Sequence, residues 1–305
     1  DKLVTGVQTC ALPIFAFCDY MPKFNTNTPE VRDYLISVCE YWVKEYDIDA
    51  LRLDVANEVC HDFCRELQLV MRSLKSNFYI IGEIWHNAMP WLRGNEFDAI
   101  MNYPLQNAIY RFALEPDRTT KAFEQDVNRC LTDYFRQTQK VMFNLMDSHD
   151  TMRLITRLGS RDRAIQTLAL LFCMPGSPCL YYGTEVFLPG GKDPDCRRCM
   201  PWKEIAEGRY AGELSTIKAL IAAHKASPAM RSTEISFRHQ EGNGRLLAVR
   251  KDAEDGSQSV TFLANFGEEA FDTKAFLAGG TVLFEHGTED GLLPAGAAII
   301  IGRNA

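Results

Sequence analysis

No Gly-x-Gly-x-x-Gly turn occurs in the 305 residues, so the usual sign of a doubly wound nucleotide-binding sheet is missing. No apolar run reaches the roughly 18 residues of a membrane span, and no membrane partner is expected. Basic charge is also short: 33 Lys and Arg face 40 Asp and Glu, a net charge of −7. That balance argues against nucleic acid or an anionic lipid surface as partner, because both select basic patches. Ten cysteines are present without a framework. Cys60 and Cys64 stand one turn apart on an expected helix, and Cys196 and Cys199 form a single Cys-x-x-Cys. A zinc site usually adds a second pair or spaced histidines, and none follows. The cysteines therefore read as small core residues of a reducing compartment, with a cytoplasmic location expected. Residues 1–14 show neither a capped helix nor a strand, nor the charged start and apolar core of a secretory signal.

The stretch Val4–Ile14 resembles translated adapter DNA, which gives the expectation of a non-native leader with authentic protein from about Phe15. From there strand and helix patterns alternate. Tyr20–Asn25 is a proline-punctuated loop, Thr28 and Pro29 open a helix through Tyr46, and Ala50–Asp54 has the two-residue period of a strand. A helix is expected from Asn57 to Lys75, then strands at Phe78–Ile81 and Phe97–Met101. A largely helical stretch follows from Leu105 to Gln139, then a strand at Val141–Leu145 and a helix at Arg161–Cys173. A strand at Cys179–Tyr182 and a helix at Leu214–Lys225 complete the alternation. Apolar strands alternating with helices imply a parallel sheet covered by helices. Polar clusters just past strand ends favour a (β/α)-barrel, whose active site lies there. After Pro228, strand-like runs at 234–239, 246–251, 259–265, 280–284 and 297–301 indicate an antiparallel domain.

Three of the polar clusters carry chemistry. Arg52 and Asp54 share one face of their strand, where burying an ion pair is costly unless the carboxylate acts on something. Gly82-Glu83-Ile84-Trp85-His86 and Ser148-His149-Asp150-Thr151 each follow an apolar run in the same way. Cleaving a glycosidic bond with retention needs two carboxyl groups about 5–5.5 Å apart. Adjacent parallel strands, about 4.8 Å apart, can present them. On this reading Asp54 stays ionised beside Arg52, and Glu83 needs a raised pKa that Ile84 and Trp85 supply if they face it. Taken singly, Glu83 could be a solvated strand-end acid, and a histidine such as His149 is more often an ordinary surface or core residue than a site residue. Trp91, Tyr103 and Tyr182 could stack on sugars or fill core, with core preferred for Tyr182. Asp147 is left without a role, and His61, His224, His239 and His286 read as structural or surface residues.

With those motifs in hand, the chain resembles the α-amylase family of glycoside hydrolases, in its cyclomaltodextrinase, neopullulanase and maltogenic amylase subgroup. Arg52-Leu53-Asp54-Val55-Ala56-Asn57-Glu58 is similar to the strand-four motif, residues 82–86 to the strand-five motif, and residues 148–151 to the strand-seven motif. Met21-Pro22-Lys23-Phe24-Asn25, Met101-Asn102-Tyr103-Pro104 and Asp193–Arg198 resemble subgroup motifs, with Phe24 departing from the usual leucine. The resemblance implies Asp54 as nucleophile, Glu83 as general acid/base and Asp150 as third catalytic carboxylate. It implies Arg52, His149, Asn57, Glu58, Trp85, His86 and Arg198 as substrate-binding residues, with Arg197 a further contact. The implied fold is α/β: strands four to eight of a (β/α)8 TIM barrel over residues 15–227, then a small antiparallel β-sandwich over 228–305. The implied activity is retaining hydrolysis of α-glucosidic bonds in cyclodextrins, pullulan or maltooligosaccharides, as part of a longer enzyme. Alternatives are an α-glucosidase of the same family and a non-catalytic, truncated glucan-binding fragment. Strands one to three and an amino-terminal dimer-building domain would precede Met21, so a homodimer is an expectation for the full-length protein only. Barrel edges left unpaired without them would favour aggregation. Family calcium sites draw largely on those upstream segments, so no metal or cofactor is assigned here.

Overall fold

A computed structural model describes residues 20–240 and 243–305. The expected leader, residues 1–14, lies outside the described residues. The chain divides into two compact units, one ending at Met101 and the other running from Asn102 to Ala305.

In the first unit, helix α1 (Pro29–Tyr46) starts on a proline, whose missing N–H would be unsatisfied there in any case. Thr28 holds the N-cap position in extended conformation, but its side chain makes no capping bond, contrary to expectation. Asp47, at φ 53°, ends the helix and sends its N–H to the Val43 carbonyl. Lys75 then clamps Asp47 and Asp49 at 2.6 and 2.9 Å, fixing the turn into strand β1 (Ala50–Leu53). Strand β1 pairs in parallel with β2 (Tyr79–Gly82), which pairs in parallel with β3 (Ala99–Ile100). Helix α2 (His61–Leu74) buries Phe63, Cys64, Leu67 and Met71. It starts four residues later than the sequence suggests. Val55 takes a left-handed φ of 44°, and the Ala56 N–H goes to the Glu83 carbonyl, so residues 56–58 make only a 3-10 turn. Strand β3 is shorter than expected because the Phe97 N–H bonds to Trp91 within its own loop.

In the second unit, the long helical stretch resolves into α3 (Tyr103–Leu114), α4 (Thr120–Thr132) and α5 (Arg136–Val141). Pro116 and the Asp133–Phe135 turn separate them. Val141 ends α5, so strand β4 is only Phe143–Leu145. It pairs in parallel with β5 (Ser177–Cys179), which lies earlier than the expected Cys179–Tyr182. The displacement has a cause: the Tyr182 carbonyl accepts from the Arg153 guanidinium instead of entering a ladder. Helices α6 (Leu154–Leu158), α7 (Arg161–Cys173), α8 (Trp202–Ala206) and α9 (Ala211–Ala226) complete the helical part. Every residue from Ala164 to Cys173 is buried, so α7 is the central helix of this unit.

The last segment forms a five-stranded antiparallel sheet in the order β10 (Thr281–His286), β12 (Ala298–Asn304), β8 (Gln258–Asn265), β7 (Asn243–Asp252), β6 (Ile235–Gln240). A two-stranded ribbon of β9 (Phe271–Asp272) and β11 (Leu292–Leu293) and the short helix α10 (Lys274–Leu277), none of them anticipated, accompany it. Alternation along β8 sends Phe262 and Ala264 into a cluster with Leu168 and Leu171 of α7, and Leu263 into a second with Phe271 and Phe276. A fully buried large side chain such as Phe262 or Leu263 contributes roughly 1.5–3 kcal/mol. Gln166 of α7 adds a polar latch, donating to the Asn265 and Ala297 carbonyls at 2.7 and 2.9 Å.

Candidate active site

The carboxyl ends of β1 and β2 put Asp54 and Glu83 on adjacent strands. Arg52 links them: Nη1 donates to Asp54 Oδ1 at 2.6 Å and Nη2 to Glu83 Oε2 at 2.9 Å. The two carboxylates sit in different surroundings. The Asp54 side chain is 72% exposed and that of Glu83 only 6%. Glu83 is buried but not stranded, because the Val55 N–H also donates to Oε2, at 3.0 Å, and Trp85 Nε1 donates to Oε1 at 3.3 Å. The left-handed Val55 is a strained conformation for a β-branched residue, and it is what turns that N–H toward Glu83. Beneath the carboxylate, a Cβ on Gly82 would come within 2.7 Å of the Phe97 ring, so glycine lets β2 and the loop approach.

Neighbouring groups brace this end of the unit. Lys23 reaches Glu58 at 3.0 Å, and Thr26 Oγ1 accepts from the Cys60 N–H at 3.1 Å, which ties the Met21–Asn25 motif to the turn after β1. Glu58 therefore already has a cationic partner. His86 bonds the Asn87 carbonyl through Nδ1, Trp85 is half-exposed, and Asn57 is partly buried on the 3-10 turn. His61 pairs with the buried Glu96 at 2.7 Å and stacks on Trp91.

In the second unit, residues 147–151 follow β4. His149 Nε2 lies 3.0 Å from Asp150 Oδ2, while Arg197 Nη2 meets Asp150 Oδ1 at 3.0 Å. Arg197 also donates from Nε to the His149 carbonyl. Arg198, by contrast, grips Asp195 through two bonds of 2.8 and 3.0 Å and holds that carboxyl below its ordinary range. Of the two arginines, Arg197 is the one joined to Asp150. The Met101–Pro104 motif continues into α3, which buttresses β4. Gln106 and Tyr110 donate to the Met146 carbonyl at 3.0 and 2.6 Å, and Tyr103 Oη meets Ser148 Oγ.

Two residues that the motifs left without a role organise this end. Asp147 is buried and accepts from the Leu154 N–H and the Thr184 hydroxyl, and its burial raises its pKa. Arg153 is fully buried, donates to the Cys196 carbonyl at 2.7 Å and to that of Tyr182, and stacks on Tyr181 and Tyr182. The signal for Arg153 was its place two residues after Thr151, directly before the short helix Leu154–Leu158. Tyr182, expected in the core, is 41% exposed. Its hydroxyl must reach the Arg198 carbonyl on the adjoining loop. Among the described residues no group of three or more His, Cys, Asp or Glu side chains could hold a metal ion. Nor, among them, is any helix long and apolar enough to cross a membrane.

Comparison with known proteins decides the family. The α-amylase catalytic domain matches residues 9–251. This chain belongs to the α-amylase family of glycoside hydrolases. A cyclomaltodextrinase of Geobacillus thermopakistaniensis strain MAS1 is 43% identical over 257 residues, which make up 84% of this chain and 43% of that protein. Neopullulanase 2 of Thermoactinomyces vulgaris is 37% identical over 267 residues, 87% of this chain and 44% of its own length. The structure of cyclic α-maltosyl-(1→6)-maltose hydrolase from Arthrobacter globiformis, in complex with that sugar, superposes with a TM-score of 0.80 at 27% identity. That match covers 98% of this chain and 66% of the hydrolase. The α-amylase family chain described here thus spans under half the length of the two sequence relatives.

Proposed function

We propose that this chain carries the retaining acid/base and nucleophile residues of an enzyme that hydrolyses α-glucosidic bonds in cyclodextrins, pullulan or maltooligosaccharides. One observation carries the reading: a single guanidinium spans an exposed and a buried carboxylate at the ends of adjacent parallel strands. Asp54, open to solvent, is the nucleophile that attacks the anomeric carbon. Glu83 protonates the departing glycosidic oxygen, then takes a proton from the water that hydrolyses the glycosyl-enzyme. Oε1 is the oxygen suited to carry that proton, since it accepts the long bond from Trp85, whereas Oε2 is held by Arg52 and the Val55 N–H. Asp150 and His149 are assigned to ring hydroxyls, with Arg197 fixing their orientation. Asn57, Glu58, Trp85, His86 and Arg198 stand as further substrate contacts.

In this reading residues 15–227 are the later strands of a (β/α)8 barrel and residues 228–305 a separate β-sandwich domain. The names of the cyclomaltodextrinase, the neopullulanase and the cyclic-sugar hydrolase support the substrate class. The free state of the eight described cysteines fits a reducing, cytoplasmic setting.

The test is Glu83→Gln in the intact protein, followed with β-cyclodextrin, pullulan and maltotriose. We expect turnover to fall by about 10²–10⁴-fold while sugar binding persists, as for loss of a general acid. Equal turnover by variant and parent would remove Glu83 from the mechanism. Binding without turnover in the parent would instead favour the glucan-binding fragment. Turnover confined to the terminal glucose of linear oligosaccharides would favour the α-glucosidase.

A further inference from the structure

A cavity of about 400 Å³ opens in the second unit beside the carboxyl end of α3, the first turn of α7, strand β7 and the turn after β8. None of its lining residues belongs to the candidate active site, and its size lies within the roughly 300–1,000 Å³ of small-molecule sites. Two guanidinium groups from different elements line it, Arg163 and Arg245. Both are fixed by main-chain carbonyls. Arg163 Nη1 donates to Ala113 at 2.8 Å, and Arg245 Nη1 donates to Glu115 and Arg118 at 3.2 and 2.6 Å. The Arg245 guanidinium also lies over the Phe112 ring, 4.6 Å from its centroid. Burial, and after it the charge of Arg163, pushes Arg245 down to about 10, so Arg245 remains cationic at neutral pH and is repelled by its neighbour. Leu158 and Phe266 add apolar lining, and the Phe266 ring centroid lies 5.9 Å from the Arg245 guanidinium. Glu268, exposed at the rim, is the one carboxylate among the lining residues.

We propose that this cavity binds a phosphate monoester, with the dianion between Arg163 and Arg245 and the ester group against Phe266 and Leu158. Two pre-positioned cations facing one space lose their mutual repulsion when a dianion enters. A carboxylate offers two oxygens, which a single guanidinium fork can fill. A phosphate monoester offers three terminal oxygens and so engages both forks. Its organic part would pack on the apolar lining residues Leu158 and Phe266.

The experiment is titration calorimetry on the whole chain with inorganic phosphate and with phenyl phosphate, ionic strength being held constant with chloride. The parent should bind both saturably, the ester more tightly. Arg163→Gln keeps an amide donor for the Ala113 carbonyl but removes the charge, and affinity should fall by about tenfold or more. Arg245→Met should act in the same direction, and if it fails to fold, Arg163→Gln decides alone. No saturable binding at millimolar ligand, an unchanged affinity in Arg163→Gln, or binding of inorganic phosphate without the ester would each overturn the proposal.

Discussion

Arg153 shows how a buried charge can hold loops rather than act on substrate. Its Nε and Nη1 satisfy carbonyls of two separate segments, the two tyrosine rings lie over its guanidinium, and Nη2 finds no hydrogen-bond partner among the described residues. A methionine would fill similar volume but leave the Cys196 and Tyr182 carbonyls without donors, at roughly 1–3 kcal/mol for each group. Arg153→Met is therefore expected to lower stability by about 2–6 kcal/mol, read as a fall in the urea midpoint. Arg153→Lys, which keeps the charge but not the fork, should fall between the variant and the parent. Asp54, Glu83 and Asp150 stood out in the sequence because an ionisable residue straight after an apolar strand is conspicuous. Arg153 and Asp147 did not, because their partners are backbone groups and a hydroxyl up to 43 residues away.

At the level of elements, strands and loops meet closely under Glu83. An alanine at 82 would place its Cβ 2.7 Å from the Phe97 ring and 3.1 Å from the Ala56 Cβ. Overpacking of this kind costs about 1–3 kcal/mol, and here it would push on the strand end that carries the proposed acid. Gly82→Ala should lower thermal stability and also reduce hydrolysis of β-cyclodextrin. An unchanged melting temperature would mean that Phe97 can move aside without cost. The late start of α2 has the same origin. Helical spacing was visible from Val59 onward, but the bond between Ala56 N–H and the Glu83 carbonyl, which delays the helix, joins residues far apart in the chain.

On the scale of the whole molecule, the second unit buries a lysine. Lys251 is 1% exposed, donates to the Met230 carbonyl at 2.8 Å, and is pushed down to about 8 by burial. Below that pH the folded chain carries the full penalty of a buried ammonium. Between about 8 and the ordinary 10.5 the unfolded chain binds more protons than the folded one, so stability from this group rises with pH. The contribution is on the order of 3 kcal/mol. Lys251→Met removes that penalty but leaves the Met230 carbonyl without its donor, so its stability relative to the parent should be greatest at neutral pH and decline toward pH 10.5 in denaturant titrations. A gap that stays constant with pH would show that Lys251 titrates alike in the folded and unfolded chain. Comparing the two proteins cancels the opposite alkaline effect of buried tyrosines such as Tyr110, whose pKa burial raises.

Period and punctuation in the sequence were enough to place α1, α7 and the five longer strands of the terminal sheet within a few residues. Those signals are local: apolar spacing, a proline at a helix start, glycine and asparagine between strands. The motifs likewise singled out Arg52, Asp54, Glu83, His149 and Asp150, since residue type just after a strand is also a local property. Only the tertiary structure decided that Arg52 bridges two carboxylates, that Glu83 is buried while Asp54 is open, and that Arg197 rather than Arg198 meets Asp150. It also decided where β5 and α2 begin, because buried hydrogen-bonding groups must find partners, and those partners are brought together by folding rather than by neighbourhood in the chain.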